Sequence, residues 1–274
     1  MKFLMRKCNN SSIIPNNFRP VYLDKVQSRI DTYKIETLNP PRKGKKLLVL
    51  DIDYTIFDHI SSAQNALLLA RPHLFDFLSR SYEKYDIAFW SATSMTWILA
   101  KLTELGIIGK TDVQKVKRLL NENQIEATFQ PANKVTGSDI DVPFKVLCLV
   151  DSGGMISVHL DDLGVKEVKP LAVIWNKYPE YGPHNTIMFD DCSRNFIMNP
   201  KNGLKIKSYR NAHENCHSDN ELSELTKYLD MIFDESDFTK LRHSKWKRFI
   251  EKHSHKRSKT SEGSLKVKIK RTKD

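Results

Sequence analysis

Three apolar runs in this chain end in groups able to do chemistry. "LLVL" runs into Asp51 with Asp53 two residues on, "NTIMF" runs into Asp190 and Asp191, and "DIAFW" runs into Ser91. Carboxylates two residues apart at the end of a buried strand repel one another and are costly to desolvate, so a metal ion, a solvated turn or a reaction must offset them. A calcium loop fails for "DIDYTIFDH", because its sixth position is Ile56 where a sharp turn wants glycine and its twelfth is Ser62 where a bidentate glutamate belongs. Glycine-rich phosphate loops of the GxxxxGK[ST] or GxGxxG type are absent. Thiolate phosphatase chemistry needs an arginine six residues after a cysteine, and the positions six beyond Cys8, Cys148, Cys192 and Cys216 are Ile14, Gly154, Met198 and Leu222.

If the three runs are neighbouring parallel strands, their carboxyl ends gather on one sheet edge, where open α/β folds place ligands. Four carboxylates meeting there demand a divalent cation, and oxygen-only ligands point to Mg²⁺. Phosphoryl transfer divides the chemistry between the acids of the first pair. A carboxylate at Asp51 can attack phosphorus, while a protonated Asp53 can donate to the departing alkoxide and then deprotonate the hydrolytic water. Mg²⁺ and a lysine would neutralise the equatorial oxygens. Thr55 offers a turn hydroxyl, and Asn195 a brace for Asp190 or Asp191. The plain alternative is that these acids are solvated caps of the helices that follow them.

The elements that must position these groups read as alternating strands and helices. "LLVL", "YDIAFW", "FKVLCLVD" and "NTIMFDD" are short strand-like runs. Leu74, Leu78 and Tyr82, then Met95, Ile98, Leu102 and Leu105, recur at helical spacing. That order predicts βαβ units and an α/β fold with a mainly parallel sheet. Residues 109–143, polar and weakly periodic, read as a surface insertion, with Lys115–Leu120 the one helical stretch. Ser218 and Glu221 have capping-box spacing ahead of a helix with Leu222, Leu225, Leu229 and Ile232 on its apolar face. A last helix is expected over 237–253, packing through Phe238, Leu241, Trp246 and Phe249. The expected division is a lead-in over 1–40, a catalytic domain over 41–253 and a basic tail over 254–274 with little to bury.

Residues 239–274 hold 14 Lys+Arg against 3 Asp+Glu, an excess equal to the whole chain's net charge of +11. The basicity therefore belongs to the end of the chain, and a nucleic-acid-binding domain is not implied beyond non-specific contact through the tail. Four cysteines without CxxC spacing suggest free thiols in a reducing compartment. The first twenty residues lack the apolar run of a secretory signal, their prolines disfavour the amphipathic helix of a transit peptide, and no run of about 18 apolar residues predicts a membrane span.

"DIDYTIFDH" resembles the DxDx[TV] signature of the haloacid dehalogenase superfamily in its aspartate-based phosphatase branch, and "FWSAT", "VKPL" and "MFDDCSRNF" are similar to its other three motifs. The similarity covers most of residues 30–252 outside the insertion. Within the branch it is strongest to nuclear Ser/Thr phosphatases that carry a ubiquitin-like domain and dock on the proteasome's regulatory particle. The resemblance implies a Rossmannoid three-layer sandwich, Mg²⁺ and an aspartyl-phosphate route on phosphoprotein substrates, proteasome subunits or an RNA polymerase II tail-type phosphopeptide. It implies Asp51 as nucleophile and metal ligand, and Asp53 as acid/base lending its backbone carbonyl to the metal. Asp191 becomes the third ligand, Ser91, Thr55 and a lysine hold the phosphate, and Asp190 and Asn195 order the metal edge. Lys169 in "VKPL" is the better match for that lysine, with Lys177 in "WNKYP" the alternative. The lead-in contains no complete ubiquitin-like domain, which leaves proteasome docking by that route in question. "KHSHKRSK" and "KVKIKR" suggest nuclear import. Two other functions fit the same fold: a non-catalytic binding scaffold, and a small-molecule phosphatase using the insertion as a cap.

Overall fold

The computed structural model describes residues 19–119, 142–160 and 164–253. Its strands, in chain order, are β1 (Lys46–Leu50), β2 (Tyr85–Trp90), β3 (Val146–Val150), β4 (Ile156–Leu160), β5 (Gly164–Val168), β6 (Thr186–Asp190) and β7 (Gly203–Lys205). Five of them form a parallel sheet in the order β3-β2-β1-β6-β7, and β4 and β5 form a separate antiparallel hairpin. The helices are α1 (Pro20–Thr32), α2 (Leu74–Tyr82), α3 (Met95–Glu104), α4 (Lys110–Leu119), α5 (Ala172–Lys177), α6 (Ala212–Asn215) and α7 (Glu221–Ile232).

Side chains of a strand alternate between faces, and both faces of this sheet are covered, which is why its central strands read as near-continuous apolar runs, with Asp86 of β2 the interior exception. Leu48, Leu50, Ile87, Phe89, Ile187 and Phe189 face a core shared with α2, α3, α4 and α7. Leu47, Val49, Ala88, Trp90 and Met188 face the other way, onto Val173 and Ile174 of α5. The expected α/β class and mainly parallel sheet are therefore found. Register fixes what comes next: Leu50 lies opposite Phe89 on one side and Phe189 on the other. The residues that follow each of these meet at one edge.

Several local expectations differ from the structure. Helix α1 begins at Pro20, where a proline suits the first helical turn. It packs Tyr22 and Val26 against Ile156, Val158 and Val168 of the hairpin, so the folded body extends well ahead of residue 41. The hairpin itself is an element that the apolar pattern does not predict. The insertion starts as a regular helix, α4, whose Val116 is buried in the main core; residues 120–141 lie outside the described residues, as do the lead-in over 1–18 and the tail over 254–274. Ser218 does not cap α7. Asp219 accepts the Glu221 backbone N–H at 3.2 Å, while the Glu221 carboxylate takes Lys207 N–H and Lys247 Nζ. The last helix spans only 246–253, preceded by two tight turns, Phe238–Lys240 and His243–Lys245. No helix among the described residues is long and apolar enough to cross a membrane.

Candidate active site

Asp51 follows β1 directly, and its N–H extends the sheet ladder to the Phe189 carbonyl at 3.0 Å. Only 6% of it is exposed, and its carboxylate faces a lysine with no exposure at all. That lysine is Lys169, which leads through Pro170 into α5. Its ammonium donates to Asp51 Oδ1 at 2.6 Å, Asp190 Oδ2 at 2.7 Å and the Trp90 carbonyl at 2.8 Å, so all three of its protons are used. Thr55 Oγ1 donates to the second Asp51 oxygen at 2.9 Å. Burial pushes the Asp51 carboxyl up to about 7, with Lys169 pulling against the shift and Asp190 adding to it. Burial would lower Lys169, but Asp190 and Asp51 outweigh it and hold the ammonium up to about 12. Lys177, by contrast, lies exposed at the end of α5, outside this network.

At the end of β6, Asp190 is fully buried and saturated by donors. Cys192 N–H reaches its Oδ1 at 2.8 Å, and Asn195 Nδ2 shares its Oδ2 with Lys169 at 2.7 Å. Asp191 is half-buried and takes the Ser208 hydroxyl at 2.6 Å. One oxygen from each of Asp51, Asp190 and Asp191 lies within 4.8 Å of the others. A hard divalent cation held by oxygen ligands fits this set. Asp190 already serves three donors, so Asp51 and Asp191 are the side chains with most capacity left for a metal.

Asp53 is not in that triad. Its carboxylate is turned to Lys101 on α3 at 2.5 Å, with His59 Nδ1 at 3.7 Å. Ser91 is 1% exposed beyond β2, tied by its N–H to the Val150 carbonyl, and its hydroxyl lies 2.9 Å from that of Thr93. The turn that carries Asp53 and Thr55 is fixed at two points. Tyr54 adopts a left-handed φ of 60° and its carbonyl accepts the Tyr209 N–H at 2.7 Å. The Thr55 carbonyl accepts from buried Arg71, whose guanidinium grips Asp219 through two bonds of 2.8 Å. Asp151, after β3, takes the Tyr33 hydroxyl at 2.8 Å and the first N–H of α3, from Met95, at 3.1 Å. It thereby ties the chain after α1 to the Ser91 loop.

Sequence reasoning thus places Asp51, Thr55, Lys169, Asp190, Asp191 and Asn195 in one network, with Ser91 and Asp53 on the same edge. It misses Lys101, Arg71, Ser208, Tyr33 and Asp151. For Lys101 the sequence signal is its place three residues after Ile98, beside the apolar face of α3; in the structure only 15% of its side chain is exposed.

A family model described as NLI interacting factor-like phosphatase matches residues 46–134 and 154–239. The ubiquitin-like domain-containing CTD phosphatase 1 of Xenopus laevis is 46% identical over 231 residues, covering 84% of this chain and 63% of that protein. Its Drosophila melanogaster namesake is 48% identical over 230 residues, 84% of this chain and 62% of that protein. The Homo sapiens protein is 45% identical over 229 residues, 83% and 62% respectively. The chain thus spans under two thirds of the length of these curated relatives. Among solved structures, the fission yeast RNA polymerase II CTD phosphatase Fcp1 bound to beryllium fluoride aligns with a TM-score of 0.34 at 13% identity, covering 77% of this chain and 65% of that one, too loosely to bear on the chemistry. The first matched span brings the strand before Asp51 and the loop of Ser91, the second brings Lys169 and the Asp190/Asp191 end of β6, and this chain belongs to the NLI interacting factor-like phosphatase family.

Proposed function

We propose that this chain is a Mg²⁺-dependent protein serine/threonine phosphatase that works through an aspartyl phosphate on Asp51. The observation that carries the reading is the unexposed Lys169 ammonium bonded to both Asp51 and Asp190 within a triad of carboxylates at the sheet edge. A scaffold has no use for mutually repelling buried acids.

An Asp51 oxygen attacks phosphorus, and the bond from phosphorus to the seryl or threonyl oxygen breaks as Asp53 delivers a proton to that oxygen. Asp53 then takes a proton from the water that attacks phosphorus, and the bond to Asp51 breaks to release phosphate. Lys101 must loosen its hold when Asp53 carries the proton, since a salt bridge favours the ionised form. Lys169 would turn a proton from Asp51 or the Trp90 carbonyl to the phosphoryl oxygens, the Ser91 hydroxyl would donate to them, and Thr55 would fix the orientation of the attacking carboxylate. Asp51, Asp191 and the Asp53 backbone carbonyl would hold Mg²⁺, which would supply positive charge against the developing charge on those oxygens.

The substrates are phosphoproteins, with proteasome subunits first and a polymerase-tail phosphopeptide second. The relatives' names, which include a CTD phosphatase, support the second, and the family resemblance supports the first. The family resemblance supports the proteasome's regulatory particle as partner, and the basic runs "KHSHKRSK" and "KVKIKR" support action in the nucleus. The test is hydrolysis of an aryl phosphate by the purified chain with and without Mg²⁺. EDTA should abolish turnover, and Asp51→Asn should lower kcat by roughly a thousandfold or more without unfolding the protein. An Asn variant as fast as wild type would overturn the mechanism.

A further inference from the structure

The turn that carries Asp53 also carries a cationic group with nothing to hold. Arg210 lies over the Tyr54 ring with Cζ 3.4 Å from the centroid, a separation that fits stacked planes. Its backbone carbonyl accepts from Asn215, but its guanidinium has no hydrogen-bond or ion-pair partner among the described residues. On the same tyrosine, the His59 ring packs with centroids 4.5 Å apart. Tyr54 is held rigidly: its left-handed backbone is pinned by Tyr209 N–H, the residue next to Arg210, and two residues before Arg210 the Ser208 hydroxyl bonds Asp191. Segment 208–210 therefore runs from a metal-capable carboxylate to the face of the residue beside Asp53.

The charge balance at this rim decides what it attracts. Asp53 is matched by Lys101 at 2.5 Å. The Arg210 guanidinium has no such ionic partner among the described residues, and it is exposed to solvent with its planar set of N–H donors oriented over the Tyr54 ring. Such a fork suits a carboxylate or a phosphate, both of which it can bind through two parallel bonds.

We infer that Arg210, stacked on Tyr54, is a specificity-determining residue that receives a second anionic group of the phosphoprotein, next to the residue being dephosphorylated. This builds on the phosphatase reading above and narrows its substrates to phosphorylated segments flanked by acidic side chains or by another phosphate.

The test uses the full wild-type chain with Mg²⁺ and fluorescent peptides in which a non-hydrolysable phosphonate replaces the target phosphoserine, flanked by glutamate, by phosphoserine or by alanine. Anisotropy titrations should show the anionic peptides binding about tenfold tighter than the alanine peptide, as expected for one charge-assisted forked contact. In Arg210→Gln that ratio should fall to within about twofold, and Arg210→Lys should recover part of it, because lysine keeps the charge without the fork. The glutamate and phosphoserine peptides, compared with each other, identify which anion is preferred. Equal binding of all three peptides to the wild type, or an undiminished ratio in Arg210→Gln, would overturn the inference. These ratios are read without turnover, so an inert wild type in the aryl phosphate assay would strike the phosphatase reading alone.

Discussion

The two edges of the central sheet both bury acids, and they treat them in opposite ways. At the amino edge, Asp86 of β2 takes the Arg42 backbone N–H at 2.8 Å, Arg42 Nε at 2.6 Å and the Tyr181 hydroxyl. Arg42 directs further donors to the Tyr82 and Tyr85 carbonyls and lies over the Tyr82 ring at 3.5 Å. One acid faces one cation, and the charges cancel. At the carboxyl edge, Asp51 and Asp190 share a single buried ammonium, and Asp191 lies within 4.8 Å of both with no cation of its own among the described residues. Three carboxylates against one lysine leave an excess of two negative charges, the charge that one divalent cation carries. A matched buried pair is structure, whereas an unmatched surplus marks a place that has something else to hold.

That contrast can be strained hardest at Lys169. Lys169→Met should destabilise the metal-free chain by about 3–5 kcal/mol in urea unfolding, because it leaves buried carboxylates with no counter-charge. Near the amino edge, pH should act on stability alone. Buried His243, between the Tyr228 hydroxyl at 2.8 Å and the Phe238 carbonyl at 3.1 Å, has its pKa lowered by burial to about 4. The unfolded chain takes up this proton before the folded one does, so stability is complete above about pH 6.5 and is lost as pH falls toward 4. The full effect is about 3 kcal/mol. Asp51, with its raised carboxyl, acts in the opposite sense over part of the same range, so the quantity to measure is the difference in urea midpoint between wild type and His243→Gln. Mg²⁺ should raise wild-type stability by about 2.7 kcal/mol at a hundredfold excess over its Kd, and Asp191→Asn should lose most of that gain. The smallest effect belongs to Arg42→Met, about 2 kcal/mol, since Asp86 keeps a backbone N–H and a tyrosine hydroxyl. That variant should retain both the Mg²⁺ response and aryl phosphate turnover; losing either would erase the distinction between the edges.

Much of this is legible in the sequence because the relevant signals are local. Strands buried on both faces read as near-continuous apolar runs, and "LLVL", "DIAFW" and "NTIMF" each place a polar group one residue past the end. Helices α2, α3 and α7 announce themselves by period. The hairpin does not, since its strands are only five residues long: in β4 Ser157 and His159 alternate with buried Ile156 and Val158, while in β5 only Val168 is buried. Gly164, with φ of +67°, is the available turn signal. The site residues that sequence reasoning misses share another cause. Tyr33 meets Asp151 across 118 positions and Arg71 meets Asp219 across 148, and a lone arginine or tyrosine carries no trace of so distant a partner. Asp219 lies within the stretch with capping-box spacing, where local pattern points to Ser218 instead.

The grip of Arg71 on Asp219 also sets a schedule for synthesis. Thr55 and its carbonyl are made early, but the arginine that steadies that carbonyl is itself anchored by a residue made 148 positions later. Lys169 and Asp190 come late as well. A chain still emerging from the ribosome therefore holds Asp51 beside an unfinished turn, and a transcript cut short before the codon for Asp219 would yield a product with Asp51 present and its setting never completed.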